Sequence, residues 1–228
     1  MNELVLGIDT STRVAVGLAR DGQVLVSQLV GDTRSHVELA AVTVGDVLAQ
    51  AAVRVGDLTC IGVGVGPGPF TGLRVGIATA QTIGQAIGVP VVGVCSLDII
   101  ALQHAGSHPG AWSRPEGEFV VASDARRHEI YWARYDRSGL RLDGPFVDPP
   151  SMLPGLPVVG PGVEAYPDLP GAVGDLPMDA GWLAANLDLL PDVGLEPLYL
   201  RQPDAEVAST RKSTLVSGRL RLPIGGAL

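Results

Sequence analysis

Residues 4–9, Leu-Val-Leu-Gly-Ile-Asp, return at 119–124 as Phe-Val-Val-Ala-Ser-Asp. In both places an apolar strand ends in an aspartate, a short polar turn follows, and an alternating strand comes back. After Asp9 the returning strand carries Val14, Val16 and Leu18, and a turn at Asp21-Gly22 leads into a third strand through Val24 and Val26. After Asp124 the returning strand is predicted from His128 to Tyr135, with Ile130 and Trp132 on one face and Glu129, Tyr131 and Ala133 on the other. Two hairpins can match in this way by chance. Internal duplication is the better explanation only if the second stretch also builds a sheet of similar order.

Working outward from the first copy, Ser35-His36-Val37-Glu38 fits a capping box, so a helix is predicted from there to residue 54, interrupted only by Gly45. Residues 60–65 (CIGVGV) read as a buried strand, 72–87 as a second helix and 91–94 as a last strand. The predicted order is βββαβαβ, an α/β lobe. Positions 1–100 hold three prolines and positions 101–200 hold thirteen, so the second half reads as a degenerate copy, with one helix expected around residues 180–190.

The chain has 228 residues, 46% of them apolar and 18% charged, which is ample for a packed core and far from the disordered range. A net charge of −8 disfavours nucleic acid as a whole-surface partner. The most apolar stretch is cut by Gly66-Pro67-Gly68-Pro69 and carries Arg74, so no run of the roughly 20 apolar residues needed to cross a bilayer is present. Cys60 and Cys95 are the only cysteines, and Met1-Asn2-Glu3 opens no signal peptide; a cytoplasmic chain with buried free thiols is expected.

Two segments carry candidate chemistry. Asp9-Thr10-Ser11 lies between antiparallel strands, where amides and hydroxyls could hold a phosphate and the carboxylate its magnesium, although the same residues serve any tight turn. Gly66-Pro67-Gly68-Pro69-Phe70-Thr71-Gly72-Leu73-Arg74 stands between a strand and a helix start, a place that collects anions. It matches neither a Walker loop nor a dinucleotide fingerprint. The following helix carries Gly72, Gly76, Ala80, Gly84 and Gly88 on one face, which suits close approach of either the chain's own sheet or a second chain's helix. His104 and His108 have metal-ligand spacing but lie beside Gly106 and Pro109-Gly110, at a fraying helix end, and lack a third ligand. No nucleophile motif is present.

LGIDTS at 6–11, GVGPGPFTGLRVGIATAQ at 64–81, PVVGVCSL at 90–97, DARRHEIYWARYD at 124–136 and EPLYLRQPDAE at 196–206 together resemble the bacterial TsaB (YeaZ) family. The resemblance implies an actin-like (ASKHA) fold of two RNase H-like lobes, here 1–100 and a degenerate 101–206, followed by a tail at 207–228. It implies a part in making N6-threonylcarbamoyladenosine at position 37 of tRNA, without a catalytic centre, cofactor or metal of its own. The implied partners are the catalytic subunit TsaD and the ATPase TsaE, or a second copy when alone, with tRNA reached only through the complex. Laid onto this chain, the metal-binding imidazoles of the catalytic relative fall on Ser96 and Ile100, neither of which can replace them. The two helices are expected to join a bundle shared with TsaD through His36, Val37, Ala40, Val44, Val47, Leu73, Gly76 and Ala80, so that a charge at Val44 or Gly76 should abolish pairing without unfolding the chain. The anion-loop residues Asp9, Thr10, Ser11, Gly66, Gly68, Thr71, Gly72 and Arg74 leave open a different class of function, an independent ATPase or small-molecule kinase. The segment from Arg201 onward holds five basic residues against two acidic ones and could touch tRNA.

Overall fold

A computed structural model describes residues 3–31, 36–106, 114–166 and 168–201. The first sheet is formed by β1 (Leu4–Asp9), β2 (Val14–Arg20), β3 (Gln23–Val30), β4 (Cys60–Gly64) and β5 (Val91–Val94), in the order β3-β2-β1-β4-β5. β1, β2 and β3 pair antiparallel; β4 and β5 join in parallel, as connections through α1 (His36–Gln50) and α2 (Phe70–Ile87) require. The second sheet repeats this plan with β6 (Phe119–Asp124), β7 (Ile130–Tyr135), β8 (Arg141–Asp148), β9 (Val158–Val159) and β10 (Ala172–Gly174), in the order β8-β7-β6-β9-β10. Its first three strands are again antiparallel and its last two again parallel. The condition for duplication is met.

The second copy is worn where the prolines fall. A 3-10 turn at Pro150–Met152 stands in the place of α1, and α4 (Gly162–Ala165) has four residues where α2 has 18. α3 (Ser96–Ala105) runs across residue 100 and leads from one sheet to the other. α5 (Ala180–Ala185) begins where expected but gives way to a 3-10 turn at Leu187–Leu189.

Strand alternation decides the layers. Leu4, Leu6 and Ile8 point into a core shared with Ala40, Val44 and Val47 of α1 and Ile77 and Ala80 of α2. Val94, Leu97, Ile100, Phe119, Tyr135 and Leu183 form a second core between the sheets, where α3 and α5 lie. Each such Val, Leu, Ile or Phe side chain contributes about 1.5–3 kcal/mol on burial. Ile130 and Trp132 face a third cluster on the far side of the second sheet, as their alternation predicts.

α5 belongs to the second half in sequence yet covers the first sheet. Gly7 and Gly17 are paired across β1 and β2, and a Cβ on either would lie 2.1 Å from the α5 backbone, at Ala180 O and Gly181 N respectively. Asp179 caps the helix, its Oδ1 accepting from the amides of Gly181 (2.8 Å) and Trp182 (3.1 Å). The chain then returns along the first lobe, Val193 N donating to Gly93 O and Leu198 N to Val65 O.

The returning strand predicted from His128 begins at Ile130, because His128 takes a left-handed φ of 60°, and two further expectations are corrected. α1 ends at Gln50, not 54, because Ala52 takes a left-handed φ of 54° and the amides of Ala52 and Val53 turn back to Ala49 O and Leu48 O in a Schellman cap. Cys95 is buried, but Cys60 is only half-buried, and both are free. Ser35 of the capping box, His108, the side chains of His36, Val37 and Glu38, and residues 202–228 lie outside the described residues. Among the described residues no helix is long and apolar enough to cross a membrane.

Candidate functional site

The end of β1, the loop after β4 and the start of α3 meet at one carboxylate. Asp9 is 0% exposed. Its Oδ1 accepts from Ser11 N at 2.8 Å and Ser11 Oγ at 2.6 Å, and its Oδ2 from Ser96 Oγ at 2.6 Å. Ser96 Oγ in turn accepts from Gly66 N at 3.1 Å, and Ser96 N donates to Gly66 O. Thr10 Oγ1 donates to Gly72 O at 2.8 Å. The glycines are there for room: a Cβ at Gly64 would sit 1.8 Å from Asp9 Oδ2, one at Gly68 2.7 Å from Ser11 O, and one at Gly76 2.3 Å from Thr10 Oγ1.

The structure therefore brings Asp9, Thr10, Ser11, Gly66, Gly68 and Gly72 together. It joins them as a closed latch, their polar groups bonded to one another, and not as an open cradle. Arg74 is turned away from it. Its guanidinium lies 3.8 Å from the Phe70 ring centre, its Nε donates to Tyr199 Oη at 2.9 Å, and Tyr199 stacks on Phe70. Thr71 is exposed beside it.

The second copy of the turn is open. Asp124 Oδ1 accepts from Arg126 N at 2.8 Å, the counterpart of the Asp9–Ser11 bond, while Arg126 Nε stands 3.6 Å from Asp124 Oδ2. Arg126, Arg127 and His128 follow with φ of 63°, 56° and 60°. Three consecutive non-glycine residues in the left-handed region cost about 1–2 kcal/mol each. The turn is held by Ala125 N to Glu129 O, Glu129 N to Arg126 O, and Arg201, which donates to Arg126 O and pairs with the Glu129 carboxylate. All three side chains point to solvent. Between the two turns lies a cleft of about 270 Å³, lined by Ser11, Thr12, Arg13, Pro69, Asp124 and Arg126 among others. Sequence reasoning assigned no role to Arg13, Asp124 or Arg126, although the recurrence of the strand-end aspartate was the signal that pointed there.

Elsewhere α3 carries the polar groups. Asp98 is buried, its Oδ1 accepting from Tyr135 Oη at 2.8 Å with Arg141 Nε at 3.4 Å, and burial pushes its carboxyl above the usual range. Cys95 is pushed up to about 12, first by burial and then by Asp98, so it stays a thiol and is no nucleophile. His104 is buried edge-on against Phe119, its Nδ1 has no hydrogen-bond partner among the described residues, and burial pushes it below the ordinary histidine value. Ile100 is sealed in the core between the sheets. Among the described residues no group of three or more His, Cys, Asp or Glu could hold a metal ion.

A family model described as TsaD, tRNA N6-adenosine threonylcarbamoyltransferase, matches residues 31–169, more than half of the chain. An uncharacterized protein from Mycobacterium leprae is 42% identical over 231 residues, which is 95% of this chain and 60% of that protein. The tRNA threonylcarbamoyladenosine biosynthesis protein TsaB of Escherichia coli is 35% identical over 135 residues, 58% of this chain and 55% of that protein. The crystal structure of YeaZ from Pseudomonas aeruginosa aligns with a TM-score of 0.68 at 25% identity, over 87% of this chain and 100% of that one. The chain belongs to the TsaB (YeaZ) family. Its two lobes repeat one strand order, and it spans 60% and 55% of the length of the two curated relatives above.

For a TsaB-family chain, the placement of the two long helices is the main correction. Ala40, Val44, Val47, Leu73, Gly76 and Ala80, the residues assigned to a partner, are all buried inside the chain itself. Gly76 faces Thr10 and Gly84 faces Val91, so the small-residue face of α2 serves the chain's own sheet. A charge at Val44 or Gly76 would therefore strike the core of the isolated chain. The exposed positions of the helices are different ones: Ala41, Val42, Gly45, Asp46, Ala49 and Gln50 on α1, and Phe70, Thr71, Arg74, Ala78, Thr82, Gln85 and Ala86 on α2.

Proposed function

We propose that this chain is a non-catalytic subunit of the machinery that makes N6-threonylcarbamoyladenosine in tRNA, and that it supports a TsaD-type catalytic subunit by docking against it. The observation that carries this reading is the outward surface of α1 and α2. The two helices lie side by side on the first sheet, and between Asp46 and Arg74, the charged residues among their described exposed positions, Ala41, Val42, Gly45, Ala49, Ala78, Thr82 and Ala86 leave a small and uncharged strip, with Val42 58% exposed. A surface helix normally turns charged residues outward. Small side chains let another helix approach closely, so a shared helical bundle is the expected mode of pairing, with the ATPase TsaE joining the assembled pair. When the catalytic subunit is absent, the same surface is free to accept a second copy of this chain.

The non-catalytic part of the reading is supported by chemistry on α3 and β1. Ser96 and Ile100 stand where the resemblance puts metal-binding imidazoles. Asp9, the carboxylate an actin-like phosphotransferase would aim at its nucleotide's cation, is committed to Ser11 and Ser96.

The test is co-expression with the cognate TsaD. Val42→Glu should leave the isolated chain within about 0.5 kcal/mol of its starting stability and lower co-purification at least tenfold. Val44→Glu, at a position 4% exposed, should destabilise the isolated chain by several kcal/mol. If Val42→Glu co-purifies in equal amounts, the docking surface is elsewhere.

A further inference from the structure

Three arginines gather at one place on an acidic chain. Against a net charge of −8, Arg13 of the β1–β2 turn and Arg126 of the β6–β7 turn line the same interlobe cleft, and Arg127 adjoins Arg126 on the exposed turn. Arg13 is exposed and makes no hydrogen bond or ion pair among the described residues. Arg126 faces one carboxylate, Asp124, whose Oδ1 is already taken up by the Arg126 amide and approached by Tyr166 Oη at 3.4 Å. The left-handed run at 126–128 presents these side chains outward, and Arg201 and Glu129 brace it from behind. Backbone held in so unfavourable a region persists where the surroundings impose it, and such places concentrate at binding sites.

We propose that the mouth of this cleft is a contact for the sugar–phosphate backbone of RNA. Guanidinium groups match phosphate oxygens in a two-pronged geometry. Their position favours an extended polyanion over an enclosed nucleotide. The cations stand on the rim, the carboxylate at the foot of the first turn is shut away, and about 270 Å³ is small for a pocket that swallows its ligand. The naming of RNA rests on the tRNA-modification reading above; the patch itself does not.

The experiment uses the full chain and a labelled unmodified tRNA transcript, with binding followed by fluorescence anisotropy across a salt series. Arg13→Ala/Arg126→Ala should weaken binding at least about fivefold near 50 mM salt and reduce the log–log salt slope by about 1.5, two phosphate contacts' worth. Arg13→Lys/Arg126→Lys should keep most of the slope, since charge is retained. Replacing the tail cations Arg211, Lys212, Arg219 and Arg221 by Ala should change binding less than the double Arg→Ala variant. The proposal is overturned if the unaltered chain fails to bind the transcript at low salt, if the double variant keeps the same affinity and slope, if the tail replacements carry the larger effect, or if ATP displaces the transcript through the same two arginines. Co-purification of the double variant with TsaD separates the two readings: pairing kept while RNA binding is lost supports the patch, and pairing lost with it would assign these arginines to the protein interface and sink the proposal.

Discussion

Asp9 and Asp124 close the same strand in two copies of one fold and make the same first hydrogen bond, to the amide two residues on. They have opposite fates. Asp9 is sealed between Ser11 and Ser96, and its carboxylate fastens β1, the loop after β4 and α3 into one piece. Asp124 is half-buried at the rim of a cleft, and beyond the buried Ala125 come three exposed residues in strained backbone. Duplication supplied two equivalent turns; one became an internal fastening and the other kept an outward surface. A polar motif at a strand end thus announces its geometry without announcing its use.

The largest expected effect tests that contrast directly. Asp9→Ala should cost about 2–3 kcal/mol in urea unfolding, because Ser96 Oγ and Ser11 N lose their acceptor in a buried place. Asp124→Ala should cost no more than about 1 kcal/mol, since the Arg126 pair it breaks is largely solvated. Equal losses would end the distinction between a sealed and an open turn.

His104 reports on the packing between the two lobes. Burial holds its folded pKa below the ordinary value, so the unfolded chain binds the proton more readily. Its contribution is present above the unfolded pKa of about 6.5 and is lost as pH falls through that value toward the depressed one. Stability measured between about pH 7 and 5 should decline in the unaltered chain and decline less in His104→Leu. An unchanged slope would place the acid sensitivity elsewhere.

The smallest effect sharpens the reading of the second turn. His128→Gly relieves one left-handed residue at φ 60° and should raise stability by about 0.5–1 kcal/mol after the entropic cost of glycine. A loss would mean that the His128 side chain supports the turn.

Much of the first lobe was legible because its signals are local. The Asp21-Gly22 turn, the alternation of Val14, Val16 and Leu18, and the apolar run at 60–64 each act within a few residues, and the βββαβαβ order follows from them. The end of α1 was not legible, since its Schellman cap uses Ala52 where a glycine would have announced it. The face of α2 was half legible. Periodicity put Gly72, Gly76, Ala80 and Gly84 on one side, but what lies opposite depends on Thr10 and Val91, which only the folded chain brings there. The latch was equally hidden, because Asp9 and Ser96 are 87 positions apart. The landing of α5 had one readable sign, the glycines at 7 and 17 that pair across β1 and β2.

That landing bears on how the protein is made. While the ribosome is still delivering the second half, the first five strands are complete, yet the strip over Gly7 and Gly17 stays bare until residues 180–185 emerge and settle on it. An N-terminal fragment carrying a whole sheet is therefore an unfinished object, with an apolar seam open to neighbouring nascent chains. Arrival of α5, and not completion of the first sheet, is the step that closes this seam.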